Sequence, residues 1–233
     1  MAYERLLNAT DGTEIWTLMG WATGMDATYD RVVDGFFVFL NTYDMQVYCV
    51  GKGPSATTVE APMTAVPFGK SLTIRGTVTD IAAGTTQNEQ AARFPNGVPA
   101  VSDESMTSWM EYVYMQKPRP TDVTGVEVTL SVIDSNDNYR DIGTVKSNAD
   151  GSFHYTWTPD IPGDFEVYAS FAGSESYWPS HAVTAFTVEE APEATPVPTA
   201  TPAPMTDTYV LGIGSAILIV VIIGFALLLL RRR

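Results

Sequence analysis

A single cysteine, Cys49, stands in 233 residues, so no disulfide can form within the chain and the fold must be held by its hydrophobic core. Histidine is almost as scarce. His154 and His181 lie in a different segment from Cys49, and the three supply no zinc-ligand spacing. Lysine and arginine number 13 against 27 aspartates and glutamates, for a formal charge of −14. A surface of that sign repels phosphate backbones and anionic lipid headgroups, which argues against nucleic acid as a partner. Paired catalytic groups are lacking as well: Ser180-His181 and the serines near Gly173 have no nucleophile-elbow context, and no spacing couples two carboxylates. Asp134, Asn136, Asn138 and Asp141 imitate part of a calcium loop, but Tyr139 stands where the sharp turn needs Gly, so a solvated hairpin loop is expected. No catalytic, metal-binding or cofactor-binding residue is nominated, and no cofactor is expected.

What the chain does have is an uninterrupted apolar run from Val210 to Leu230, closed by Arg231, Arg232 and Arg233. At helical rise it is long enough to cross a hydrocarbon core of about 30 Å. The expectation is a transmembrane helix over 208–230 and a cytoplasmic basic tail over 231–233. Arginine is retained on the cytoplasmic side, so everything before the helix is expected outside the cell, on a single-pass membrane protein, with the Cys49 thiol outside but shielded on a strand. Gly212 and Ala216, four apart, give one end of the helix a small-residue face that a helix partner could use. Met1 to Asn8 carries no basic region followed by an apolar stretch of signal-peptide length, although this topology requires export. Either an upstream portion precedes Met1, which is the expectation here, or the orientation is reversed.

Ahead of the apolar run, 190–207 shifts to alternating proline and threonine. Proline fixes φ and removes donors, so this stretch is expected to be an extended stalk. At about 3.1 Å per residue it would lift the preceding domain roughly 40 Å from the membrane. Between 56 and 189 the dominant pattern has period two. Leu72, Ile74 and Val78 alternate with Thr73, Arg75, Thr77 and Thr79; Val126, Val128, Leu130 and Val132 share a face, as do Phe153, Tyr155 and Trp157, and Phe165, Val167, Ala169 and Phe171. Turn residues at 134–138, 148–151, 159–163 and 172–176 separate the runs. The fold expected is mainly β, an antiparallel sandwich. One stretch breaks the alternation: Ser102 as cap, Asp103 and Glu104 in a first turn, then Met106, Trp109, Met110 and Val113 at helical spacing predict an inserted helix over about 102–116. Either it plugs one end of the sandwich, or Trp109, Met110 and Tyr112 form a partner-binding face. Asn8-Ala9-Thr10 is an N-glycosylation sequon, meaningful only if exported.

The block from Asp150 to Trp178, with Asp150-Gly-Ser-Phe, Trp157-Thr-Pro159 and Gly163-Asp-Phe-Glu-Val-Tyr-Ala-Ser-Phe-Ala-Gly173, resembles the immunoglobulin-like repeats of prokaryotic surface proteins. Those domains are sandwiches shaped like antibody domains. Without the antibody cysteine pair, aromatic packing by Trp157 and Tyr168 is expected to fill its place. Residues 1–55 resemble something else. Leu7-Asn-Ala-Thr-Asp-Gly-Thr-Glu-Ile-Trp16 and Asp34-Gly-Phe-Phe-Val-Phe-Leu-Asn-Thr-Tyr-Asp-Met-Gln-Val-Tyr-Cys49 look like one PQQ-like β-propeller repeat, a partial blade in which Trp16 would pack between blades.

The whole arrangement, from terminal propeller repeat through immunoglobulin-like domain and Pro/Thr stalk to membrane helix, resembles archaeal cell-surface proteins. The resemblance implies a non-catalytic, membrane-anchored surface module for adhesion, envelope scaffolding or ligand display, with an extracellular protein or glycan as partner. The other reading is the membrane-proximal remnant of a PQQ-like propeller enzyme or sensor.

Overall fold

The computed structural model describes residues 3–21, 31–190 and 206–232. They fall into two compact units, Met1–Ala191 and Pro192–Arg233.

The first unit opens with a hairpin of β1 (Tyr3–Leu7) and β2 (Glu14–Met19), followed by a meander of β3 (Arg31–Val33), β4 (Phe36–Asn41) and β5 (Gln46–Val50). Asp34 and Gly35, at φ of 50° and 82°, make the β3–β4 turn, the left-handed pair that suits a two-residue hairpin. The two small sheets meet through aromatic rings, with Trp16 at 6.2 Å from Phe37, Phe37 at 5.2 Å from Phe39, and Phe39 at 5.5 Å from Tyr48. Asn41, fully buried at the seam, donates from Nδ2 to the Met19 carbonyl at 3.3 Å. Where one blade's worth of strand is expected, the chain forms two partial sheets with Trp16 between them.

The next strands build two sheets around one core. One sheet has the order β11 (Tyr139–Lys146), β10 (Glu127–Ile133), β13 (Gly163–Phe171), β14 (Ser180–Glu189) and β7 (Val66–Pro67). The other runs β12 (Ser152–Trp157), β8 (Leu72–Asp80), β6 (Ser55–Glu60), with the short β9 (Val98–Pro99) also on β8. Every pairing is antiparallel except β14 with β7, which is parallel. Inward residues are those that the alternation marks: Leu72, Ile74, Val78 and Phe153 of one sheet face Val128, Leu130, Val132, Phe165, Val167 and Ala169 of the other in a single cluster. Each such side chain removed from water contributes about 1.5–3 kcal/mol, which is why the register is firmly set. Phe165 stacks on Phe186 at 5.3 Å, and Trp157 meets Phe165 edge-on at 5.5 Å. Tyr168, expected to share this packing, lies one residue out of phase. Its hydroxyl donates to Glu166 on the outer face.

The stretch between β8 and β10 carries the helices α1 (Asn88–Arg93) and α2 (Asp103–Tyr114) as well as β9. The second unit holds α3 (Thr206–Leu230), of mean hydropathy 3.0 over Thr208–Leu230 and with none of that window buried. Ser215, a polar residue in this helix, returns its hydroxyl to the Leu211 carbonyl at 2.5 Å, so no unpaired donor faces outward there.

Candidate functional site: the insertion end of the sandwich

The turn between β13 and β14, the insertion before β10 and the entry to β6 gather at one end of the sandwich. Gly53 bridges Tyr177 from both sides, its amide donating to the Ser176 carbonyl and its carbonyl accepting from the Trp178 amide, both at 2.8 Å. Asp103, in the first turn of α2, staples the β13–β14 turn. Its carboxylate accepts from the Ser174 hydroxyl at 2.9 Å and from the Glu175 and Ser176 amides at 3.1 and 3.0 Å. Burial pushes this carboxyl up, but the bonds from Ser176, Ser174 and Glu175 outweigh it and hold the group below the usual carboxylate range. Beyond the staple, Trp178 is 53% exposed and the Lys52 ammonium sits 4.7 Å from its ring centre. Ser55, Thr57 and Ser180 join hydroxyls at 2.7–2.8 Å beneath it.

Under the same end lies a buried acidic group. Asp80 is 6% exposed and accepts from the Ala82 amide at 2.8 Å, and burial raises its pKa. Tyr114 and Tyr177 lie near this carboxylate, and burial first, then the Asp80 charge, pushes both phenols up. The Tyr177 hydroxyl has no hydrogen-bond partner of good geometry among the described residues.

The partner-binding face expected on α2 is corrected by burial. Trp109 is 0% exposed, with Val98, Val101 and Val113 around it, while Met110 and Tyr112 are half-buried against the same cluster. Phe94 supplies the cover, 5.8 Å from Trp109 and 6.1 Å from Tyr112. Arg93 then closes the helix, bonding the Val113 and Tyr112 carbonyls at 2.9 and 3.0 Å and lying 4.4 Å over the Tyr112 ring. These donors satisfy carbonyls that a helix C-terminus leaves open. The helix thus has a small core of its own and presents no Trp109 to a partner.

Cys49 is corrected in the other direction. A shielded thiol is expected on a strand, but it is exposed, opposite Val38 on the uncovered face of the β3–β5 sheet. The 134–138 stretch, expected as a solvated hairpin loop, forms a turn in which Asp134 is buried. Asp134 Oδ1 accepts from the Asn136 and Asn138 amides at 2.9 and 3.1 Å, and Oδ2 accepts from Asn138 Nδ2 at 3.4 Å. Among the described residues no group of three His, Cys, Asp or Glu is placed to hold a metal. A shallow hollow of about 380 Å³ by Pro62, Met63, Phe186 and Thr187 is open, and its one carboxylate, Asp164, is taken by the Thr187 hydroxyl at 2.7 Å. Asn8 sits at the tip of the β1–β2 hairpin, half-buried, between exposed neighbours. The Asp103 staple and the exposed Trp178 were not singled out as site residues in the sequence. The signal that could have found them is the turn chemistry of 172–176.

No family model matches the chain, and no curated protein does. Among solved structures it is similar to a CARDB domain from Pyrococcus furiosus, crystallised with di-metal ions, at 10% identity and a TM-score of 0.29 over 60% of this chain and 96% of that one. It is also similar to fibronectin(III)-like modules of Clostridium thermocellum CbhA, at 12% identity and a TM-score of 0.33 over 78% and 76%. A β-glucosidase from Listeria innocua in complex with glucose aligns at 14% identity and a TM-score of 0.25 over 60% of this chain and 17% of that one. At such scores the sandwich description stands on its own strand pairing.

Proposed function

We propose that the chain is a non-catalytic, membrane-anchored surface module, an immunoglobulin-like sandwich held outside the cell for adhesion, envelope scaffolding or ligand display. The observation that carries the reading is α3, a 25-residue apolar helix with its exposed surface made of Val, Ile and Leu and with Arg231 and Arg232 directly after it. Such a surface is stable only in hydrocarbon, and the arginines favour the cytoplasmic side. The immunoglobulin-like part rests on connectivity. The first strand of the sandwich splits, β6 pairing in one sheet and β7 parallel to the last strand in the other, while β10, β13 and β14 lie side by side. The 190–207 stalk and the archaeal origin belong to this reading; the stalk lies mostly outside the described residues.

Exposed Cys49 gives a direct test. In whole cells a membrane-impermeant maleimide is expected to label the wild type and not Cys49→Ser. A cysteine appended after Arg233 in the Cys49→Ser chain is expected to stay unlabelled until the membrane is permeabilised. The reverse pattern would place the sandwich in the cytoplasm and end the surface reading.

The alternative, a remnant of a PQQ-like propeller enzyme or sensor, draws on the two partial sheets packed through Trp16 and on their exposed Ile15, Val32, Val33, Met45 and Val47. Propeller blades bury such faces against neighbours. Further repeats of the 7–16 and 34–49 kind in the coding sequence upstream would favour it.

A further inference from the structure

We propose that Asn8 is an N-glycosylation site in use, and that its glycan guards the open edge of the β1–β2 sheet. The inference rests on the exported topology proposed above. Three features of the hairpin tip carry it. Firstly, the sequon's own turn holds the acceptor side chain: Asn8 Oδ1 accepts the Thr10 amide at 2.8 Å, and the backbone closes through Asn8 N to Thr13 O and Gly12 N to Asn8 O, both 2.8 Å. Secondly, among the described residues no hydrogen bond engages Nδ2 of Asn8, whereas Asn41, Asn138 and Asn148 spend theirs on Met19, Asp134 and Ser152. Attaching a saccharide at Asn8 therefore costs no bond among the described residues. Thirdly, the turn from Ala9 to Thr13 is exposed throughout, and Leu7 and Ile15 beside it are 52% and 56% exposed.

That last feature gives the modification a purpose. Among the described residues β1 pairs with β2 alone, so there one edge offers unpaired backbone groups flanked by bare aliphatic side chains, the arrangement that recruits strands from other molecules. A bulky hydrophilic chain rooted at residue 8 covers both. The chemistry is a substitution without redox change. Nδ2 bonds to the anomeric carbon of a saccharide carried on a lipid phosphate or pyrophosphate. That carbon's bond to the phosphate oxygen breaks, the phosphate leaves with the electron pair, and a base on the transferase takes the amide proton. Thr10 provides the hydroxyl that the sequon requires.

The test is mass spectrometry of the full-length chain purified from the membranes of the cell that makes it. Trypsin releases Leu6–Arg31, in which Asn8 is the only asparagine. The expected result is a mass excess of one or more saccharide units on that peptide, lost in Asn8→Gln and in Thr10→Ala and kept in Thr10→Ser. An unmodified Leu6–Arg31 peptide in the wild type overturns the proposal. Maleimide labelling of Cys49 on the same cells tells the two failures apart: a labelled thiol with an unmodified peptide rejects the site alone, and an unlabelled thiol rejects the exported topology with it.

Discussion

Asp80 shows how much one side chain can reveal about the insertion end. Its folded pKa is raised by burial, so the folded state holds the proton more tightly than the unfolded chain. The stability this group contributes is full below the ordinary aspartate pKa and is lost as pH rises through the raised value. Asp80→Asn keeps an oxygen for the Ala82 amide and removes the titration. The variant is expected to gain on the wild type in thermal melts as pH rises from about 3 to about 7, and a gain that shrank over that range would refute the assignment. Trp109 makes the opposite point. Fully buried under Phe94, it is expected to cost about 3–5 kcal/mol on truncation to Ala. A denaturant midpoint unchanged by Trp109→Ala would return this residue to the surface. At Gly76 the constraint is one of space, because an added Cβ would lie 2.0 Å from the Thr58 carbonyl and 2.6 Å from the Phe153 ring. Gly76→Ala is expected to destabilise by about 1–3 kcal/mol in the same assay.

At the scale of elements, the strands with one buried face were legible because burial repeats every second residue. β8, β10, β12 and β13 show it, and the structure keeps their inward sets without a slip. What could not be read were contacts whose second half comes from elsewhere in the chain. Trp109, Met110 and Tyr112 form an apolar stripe whether or not Phe94 and Val98 cover it, and α1, a six-residue helix, has too few turns to show a period. Cys49 misleads for the same reason, since which face of β5 is covered depends on where β1 and β2 pack. The two β regions also differ in self-sufficiency. The sandwich encloses an 18-residue buried cluster, whereas the five N-terminal strands bury Leu18 and Phe39 and leave Leu7, Ile15, Val32 and Val47 in the open. Expressed alone, residues 51–190 are expected to melt cooperatively and residues 1–50 not; a cooperative transition in the shorter fragment would remove the propeller comparison.

At the scale of the molecule, charge is divided by sign: the three terminal arginines stand at one end and an excess of carboxylates fills the rest. Several of those carboxylates serve the fold. Asp160 pairs with Arg140, Asp150 accepts from Ser152, and Asp103 holds the β13–β14 turn. Acid would protonate them and loosen turns before it reached the core. For Asp103 the sign follows from its lowered pKa: its contribution is present above the ordinary aspartate range and lost as pH falls through the folded value. Protection of the Glu175 and Ser176 amides, measured against the intrinsic exchange rate at each pH, is expected to fall in acid and to be low at all pH in Asp103→Ala.

The route of the chain through the sandwich has a mechanical consequence. It enters at Gly53, bridged to Tyr177, and leaves at Glu189, at the far end of β14. A pull on the two ends therefore runs along the strand axis. β14 is held on one side by nine cross-strand pairs to β13 and on the other by parallel pairing to β7, so these bonds meet a tug in shear and must give way together. A hairpin loaded at its open end would surrender them one at a time. If the chain is anchored and loaded as proposed above, tension between its two ends would fall on the best-fastened strand of the domain.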